Sequence, residues 1–250
     1  MSKFIRPLYP LREIISLDEI YYYPNLNIFS DASTRTIGRG NEAAAYAVAA
    51  VTGDNVIDTE IRIHSNTTSN AEELRGVKSA VAMGLKYRNM FSRINIFCDS
   101  LYAIDSLRKF PSIWEFNNSD HAYYAKSTGG QVKNMNTIAE ALYMLEDLRK
   151  TTEVNIYYIK GHVNTESNDS KTYRRLNIAA RSFWEENFND VRRFNIHDRG
   201  TIDLNMIRYL CGYNNMVDSL SRGLLFRTNI FDNVYRDAVT FELDHPIYFN

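Results

Sequence analysis

The sequence predicts an α/β fold, a mixed β-sheet with helices on its faces, and three observations lead to it. Two short apolar runs, "LNIFS" (26–30) and "INIFC" (94–98), nearly duplicate each other, and each runs into an aspartate, Asp31 and Asp99. Between them lie "AAAYAVAAV" (43–51) and "NVIDTEIRI" (55–63), joined by Thr52-Gly53-Asp54, whose glycine and aspartate suit a tight reversal. Stretches of helical apolar period then alternate with the later strands. A strand, a hairpin, and further strands separated by helices make a mixed sheet covered on its faces.

Each element has its own signal. The first strand and the hairpin follow from the alternating or continuous apolar runs just quoted. Residues 70–88 place Leu74, Val77, Val81 and Leu85 at helical spacing, with Asn70 or Ser69 as the cap and Glu73 in the first turn. The strand 94–98 is followed by a shorter helix from Ser100 ("SLYAIDSLRKF"), and Ile138, Leu142, Leu145 and Leu148 form one stripe of a helix over 136–150. Residues 154–159, "VNIYYI", form a further strand, and the remainder reads as largely helical.

Composition bounds the answer without giving it. A hydrophobic fraction of 44% and a charged fraction of 24% are those of a folding chain, and 250 residues can be served by one elaborated core. No stretch approaches the ~20 consecutive apolar residues of a membrane span. The N-terminal "MSKFIRPLYPLREII" lacks the uninterrupted apolar core of a signal peptide, and Cys98 and Cys211 lie far apart, so the expected setting is the reducing cytoplasm. The formal net charge of −1 neither announces nor forbids a nucleic-acid partner, which a single basic face can serve.

The chemistry begins with Asp31 and Asp99. Strand carboxyl ends line the ligand crevice of open α/β sheets, so both carboxylates are expected at one edge. Either aspartate alone reads as a cap of the following turn. Presented side by side they repel unless a cation or proton separates them, and with a third acid the pair reads as a metal site. Carboxylates are hard ligands suited to Mg²⁺ or Mn²⁺, and no Cys/His spacing offers a zinc alternative.

"IFSDAS", "TTSNAEEL" and "IFCDSLY" occur in this order and resemble the type 1 ribonuclease H family. "VKNMNTIAEAL" (132–142) resembles the helix start after that family's substrate-handle region, and "KGH" (160–162) its flexible loop carrying the catalytic histidine. The resemblance implies a ribonuclease H-like mixed five-stranded sheet flanked by helices, two Mg²⁺ ions (Mn²⁺ as alternative), and cleavage of RNA in RNA–DNA hybrids. It puts the metal-binding acids on Asp31, Glu73 and Asp99, the histidine on His162, and minor-groove contacts on Asn70 and Ser69. Glu72 competes with Glu73, but residues adjacent in a helix point about 100° apart, so one of them faces the aspartates. Ala32 stands where the family usually has glycine, a variant also seen in its retrotransposon relatives.

The family's fourth carboxylate follows the loop histidine inside a helix reading Asn, three residues, Asp. Glu166 and Asp169 come too early for it, whereas "YNNMVDSLSRGLL" (213–225) puts Asn214 and Asp218 on one helix face. This assignment requires a helical insertion over 165–212, with extensions over 1–24 and 226–250 around the core. His162 is then expected to shuttle a proton or help product leave.

Substrate grip departs from the family, because "FNNSDHAYYAKSTGGQ" (116–131) has one lysine where a basic handle is expected. In the insertion, "SKTYRRLNIAARSFWEENF" (170–188) offers Lys171, Arg174, Arg175 and Arg181. This helix either contacts phosphates in place of the handle or covers extra core with Leu176, Ile178, Phe183 and Trp184. The expected function is an endoribonuclease acting on hybrids. A DNA-directed nuclease or resolvase of the same fold, or an inactive hybrid-binding protein, is the alternative.

Overall fold

A computed structural model of the chain describes residues 11–37, 41–109, 114–117, 122–125, 128–188 and 203–227. The first ten residues, 189–202 of the expected insertion and 228–250 of the C-terminal extension lie outside the described residues. A single helical turn, α1 (Asp18–Tyr21), leads into β1 (Asn25–Ile37), and β2 (Asn41–Thr52) and β3 (Asn55–Ser65) form the hairpin. Gly53 at its turn has φ +55°, a conformation that costs glycine nothing. Next come α2 (Ser69–Tyr87), β4 (Arg93–Cys98) and α3 (Leu101–Arg108). A small hairpin, β5 (Trp114–Asn117) and β6 (Ala122–Ala125), occupies the segment read as a handle. The chain continues through α4 (Met135–Arg149), β7 (Glu153–Tyr158), α5 (Ser170–Phe188) and α6 (Leu204–Arg227).

The main sheet has the order β3-β2-β1-β4-β7, antiparallel through the hairpin and parallel where β4 joins β1 and β7 joins β4. Two expectations of local structure are corrected. The cap of α2 is Thr68, whose Oγ1 accepts from the Ala71 N–H at 3.3 Å, because Ser69 and Asn70 are already inside the helix. The first strand does not end at Asp31 but continues to Ile37, since β2 keeps pairing with it from Asn27↔Val51 to Ile37↔Asn41.

Each face of the sheet has its own core. On one, Leu74, Val77 and Val81 of α2, Ile104 of α3 and Ile138 and Leu145 of α4 pack on Leu26, Ile28, Ile94 and Ile96. On the other, α5 and α6 join the segment before β1, burying Ile14, Ile20, Leu176, Phe183, Met206, Ile207 and Leu210 against Phe29, Phe97 and Tyr157. The insertion helix therefore supplies much of the second layer: Leu176, Phe183 and Trp184 are buried, while Ile178 is exposed. The sequence predicts an insertion ending at residue 212, whereas its last described part, from Leu204, is continuous with the helix that carries Asp218.

The second face holds two ladders across β1, β4 and β7. Phe29, Phe97 and Tyr157 stack in register with ring centroids 5.1 and 5.3 Å apart. Two residues earlier, buried Asn27, Asn95 and Asn155 pass hydrogen bonds along the row, from Asn95 Nδ2 to Asn27 Oδ1 (3.1 Å) and from Asn155 Nδ2 to Asn95 Oδ1 (3.4 Å). Among the described residues, no helix is long and apolar enough to cross a membrane.

Candidate active site

Pairing of β1 with β4 stops at Ser30↔Cys98, so the next residue on each strand, Asp31 and Asp99, stands where the two strands part. This is the strand-end crevice of a parallel arrangement, reached from the sequence through the two matched apolar runs. Asp31 is 3% exposed; its Oδ1 accepts the Ala32 N–H at 2.7 Å, and its Oδ2 is buried without a hydrogen-bond partner.

The glutamate comes from α2, and its two neighbouring candidates separate cleanly. Glu72, fully buried, turns towards β3, where it pairs with His64 Nδ1 at 2.7 Å, and it also pairs with Arg75 Nη1 of its own helix at 2.8 Å. Glu73 turns to the aspartates. One Glu73 oxygen, Cys98 Sγ and one Asp99 oxygen all lie within 4.8 Å of one another, and Cys98 Sγ donates to Glu73 Oε2 at 3.8 Å.

The loop after β7 closes over the acids. A Cβ on Gly161 would fall 1.9 Å from Asp99 Oδ2, so the backbone can ride this low only without a side chain. His162 follows with φ +56° and an exposed ring. Helix α6 holds this loop with residues spaced along one of its faces. Arg208 donates to Thr165 O (3.0 Å), Cys211 to Lys160 O (3.7 Å) and Asn215 to Val163 O (2.6 Å). The far end of α6 is tied to β1 by Ser221–Ser33 (2.9 Å) and by Arg35 donating to Leu225 O (3.4 Å).

Between those ties α6 points three side chains at the crevice. Asn214 is fully buried with its amide facing Asp99, near enough to lower that carboxyl although it makes no well-formed hydrogen bond. Asp218 is 9% exposed; its Oδ1 pairs with Arg222 Nε at 2.7 Å and its Oδ2 lies 3.5 Å from His162 Nδ1. Arg222 Nη2 is also 3.3 Å from His162 Nδ1, so that nitrogen sits between an obligate donor and a carboxylate.

The electrostatics follow from burial and crowding. Burial first, then the charges of Asp99 and Asp218, push the Asp31 carboxyl up to about 8. Burial, then Asp31 and Asp99, push Glu73 well above the ordinary carboxylate range. Burial raises Asp99 too, against the lowering pull of His162 and of the Asn214 amide. A cluster of buried carboxylates that hold on to protons, with an Asp31 oxygen left unpartnered, fits a divalent cation, whose charge reverses each of these shifts. The donors are hard oxygens apart from the Cys98 thiol.

Asp31, Glu73, Asp99, Asp218 and His162 are thus brought to one end of the sheet. Ser69 and Asn70 stand exposed at the start of α2, and Lys171, Arg174 and Arg175 stand exposed on α5. The arginine on Asp218 and the thiol on Glu73 escaped the sequence reading. Arg222 carried a usable signal, since it follows Asp218 by the same four residues that separate Asp218 from Asn214.

Buried acids at the diverging strand ends of a five-stranded mixed sheet define an α/β protein with a candidate metal-binding cluster. Residues 24–171, more than half of the chain, match the model of the RNase H family, and the chain belongs to that family. Asp218 and Arg222 lie beyond the matched residues. The ribonucleases H of Thermoanaerobacter sp. (strain X514) and Thermoanaerobacter pseudethanolicus are each 31% identical over 105 residues, 42% of this chain and 59% of theirs. The chain therefore spans about three fifths of the length of the curated relatives it matches. Among solved structures, the foamy virus (PFV) RNase H domain is 15% identical, covering 66% of this chain and 94% of its own, with a TM-score of 0.42. The RNase H1 of the archaeon Halobacterium salinarum is also 15% identical, covering 54% and 86%, with a TM-score of 0.36.

Proposed function

We propose that the protein is an endoribonuclease that hydrolyses the RNA strand of RNA–DNA hybrids, leaving 5′-phosphate and 3′-hydroxyl ends. The observation that carries this reading is the cluster of buried acids with an unpartnered Asp31 oxygen, roofed by the Gly161–His162 loop. Family membership supports the substrate class. Asp31, Glu73, Asp99 and Asp218 would hold two Mg²⁺ ions, with Mn²⁺ as the alternative. When bound, such ions activate the attacking water and stabilise the leaving 3′ oxygen. Asp31 and Glu73, both buried, would present their carboxylates to the ions. His162, exposed at the rim, moves a proton between the reacting groups and solvent. Ser69 and Asn70, exposed at the start of α2, would contact a minor groove, where 2′-hydroxyls mark the RNA strand.

The helix α5 serves both of its expected purposes in this reading: its apolar side covers the sheet, and Lys171, Arg174 and Arg175 on its exposed side contact phosphates. The test uses labelled RNA–DNA hybrid, RNA duplex, DNA duplex and branched DNA, each with Mg²⁺, Mn²⁺ or chelator. Cleavage of the hybrid's RNA strand, lost with chelator and in Asp31→Asn, is the expected result. Cleavage of DNA alone overturns it in favour of a DNA-directed nuclease or resolvase, and binding without cleavage in favour of an inactive hybrid-binding protein. In the same assay Arg174→Gln with Arg175→Gln should weaken hybrid binding and flatten its dependence on salt. Unchanged affinity and salt dependence would remove α5 from the interface.

A further inference from the structure

The four acids do not enter the crevice on equal terms. Among the described residues, Asp31 has a backbone N–H and an unpartnered oxygen, Glu73 has a thiol, and Asp99 has the Asn214 amide with His162 nearby. Asp218 alone carries a permanent cation, with Arg222 Nε at 2.7 Å on one oxygen and His162 Nδ1 at 3.5 Å from the other. The pair is lopsided: the Asp218 side chain is 12% exposed and the Arg222 side chain 50%, so the guanidinium reaches in from solvent over a carboxylate that cannot leave. Solvent around the guanidinium and a spacing of four residues on one helix make this a contact that opens at modest cost.

We propose that Arg222 is a built-in counter-cation that competes with a divalent ion for Asp218. The inference rests on the reading of the acid cluster as a two-ion site and adds an order of filling to it. The first ion enters the side formed by Asp31, Glu73 and Asp99, over which no guanidinium of the described residues stands. The second gains Asp218 only by displacing Arg222, so it binds more weakly than the acid count alone implies. Meanwhile the guanidinium holds the Asp218 carboxylate in place, ready to receive the second ion. Arg222 is in this sense a positioning residue acting through Asp218.

The test counts ions directly: Mn²⁺ titrations of the full chain followed by the paramagnetic resonance of the free ion, with Mg²⁺ calorimetry beside them. The variants are Arg222→Gln, Arg222→Lys, Asp218→Asn and Asp218→Asn with Arg222→Gln. Wild-type protein should bind one ion more tightly than a second. Arg222→Gln should tighten the second by about two- to fivefold, the range expected for losing one partly exposed ion pair, and leave the first unchanged. Arg222→Lys should fall between, and in the Asp218→Asn background Arg222→Gln should change nothing. An unchanged or weaker second ion in Arg222→Gln overturns the proposal, as does an equal gain in the Asp218→Asn background, which would mark a diffuse charge effect. Failure of the underlying reading looks different: wild-type protein would bind no divalent ion, or Asp31→Asn would bind as wild type does.

Discussion

Two adjacent glutamates on α2 have opposite fates, and substitution should separate them. Glu72→Gln removes the buried partner of His64 and Arg75 and should cost about 1–3 kcal/mol of stability, seen in urea unfolding, with a smaller loss of cleavage. Glu73→Gln should abolish cleavage and leave the fold intact. The resemblance of "EEL" to the family pattern points to Glu73, but what Glu72 does instead depends on His64, a residue of another element whose partner no local pattern reveals. Asp31 makes a prediction about pH. Its carboxyl, held up to about 8 when folded, lies near 4 in an unfolded chain, so the folded state binds that proton more tightly. The stability it contributes is complete below about pH 4 and is lost as pH rises through about 8. In chelator, the thermal midpoint should therefore fall between pH 5 and 8.5, by roughly 2–4 °C for each kcal/mol lost. The fall should be smaller in Asp31→Asn, where the titrating group is gone.

At the scale of elements, the asparagine row explains how three parallel strands find one register. A slip of β4 by one residue would turn Asn95 to the opposite face of the sheet and bury an unpaired amide beside Leu26 and Ile28, so the row penalises the wrong alignment more than it rewards the right one. Asn95→Ala leaves Asn27 and Asn155 each short of a partner, and should cost about 2 kcal/mol or more in urea unfolding while sparing the acids. Asparagine is a poor strand former, and nothing local marks this row as paired; it emerges only when the strands lie side by side. Strand cores, by contrast, were legible because "LNIFS", "INIFC" and "VNIYYI" are apolar runs of strand length. The continuation of β1 through "ASTRTI" was not, because it is set by the partner β2 and not by its own composition. The start of α6 at Leu204 was missed for a related reason: the Asn/Asp motif marks the helix only where it meets the acids.

For the whole molecule, the segment before β1 is part of the second layer and not an ornament. Ile14 and Ile20 are fully buried, Arg12 N–H donates to Asn155 Oδ1, and the Asp203 N–H donates to Ile15 O. Deleting residues 1–22 should cost about 3–6 kcal/mol, the burial of two isoleucines, and lower the urea midpoint accordingly. The sequence set this segment outside the core because its apolar residues lack a regular period; the tertiary contacts give them their place. Insertion helix and N-terminal segment together close the face that the first-layer helices leave open, and the same α6 that seals this face delivers Asp218 to the acids.

The chain's two tryptophans fall one to each layer. Trp114 of β5 packs against the core of the first face, and Trp184 of α5 is 4% exposed in the second layer, its ring centroid 4.9 Å from that of Phe188. Each face therefore carries its own fluorophore, and replacing either one by phenylalanine leaves an emission signal belonging to a single layer. Followed through denaturant, the two signals will coincide if the sheet's faces come apart as one cooperative unit and separate if they do not.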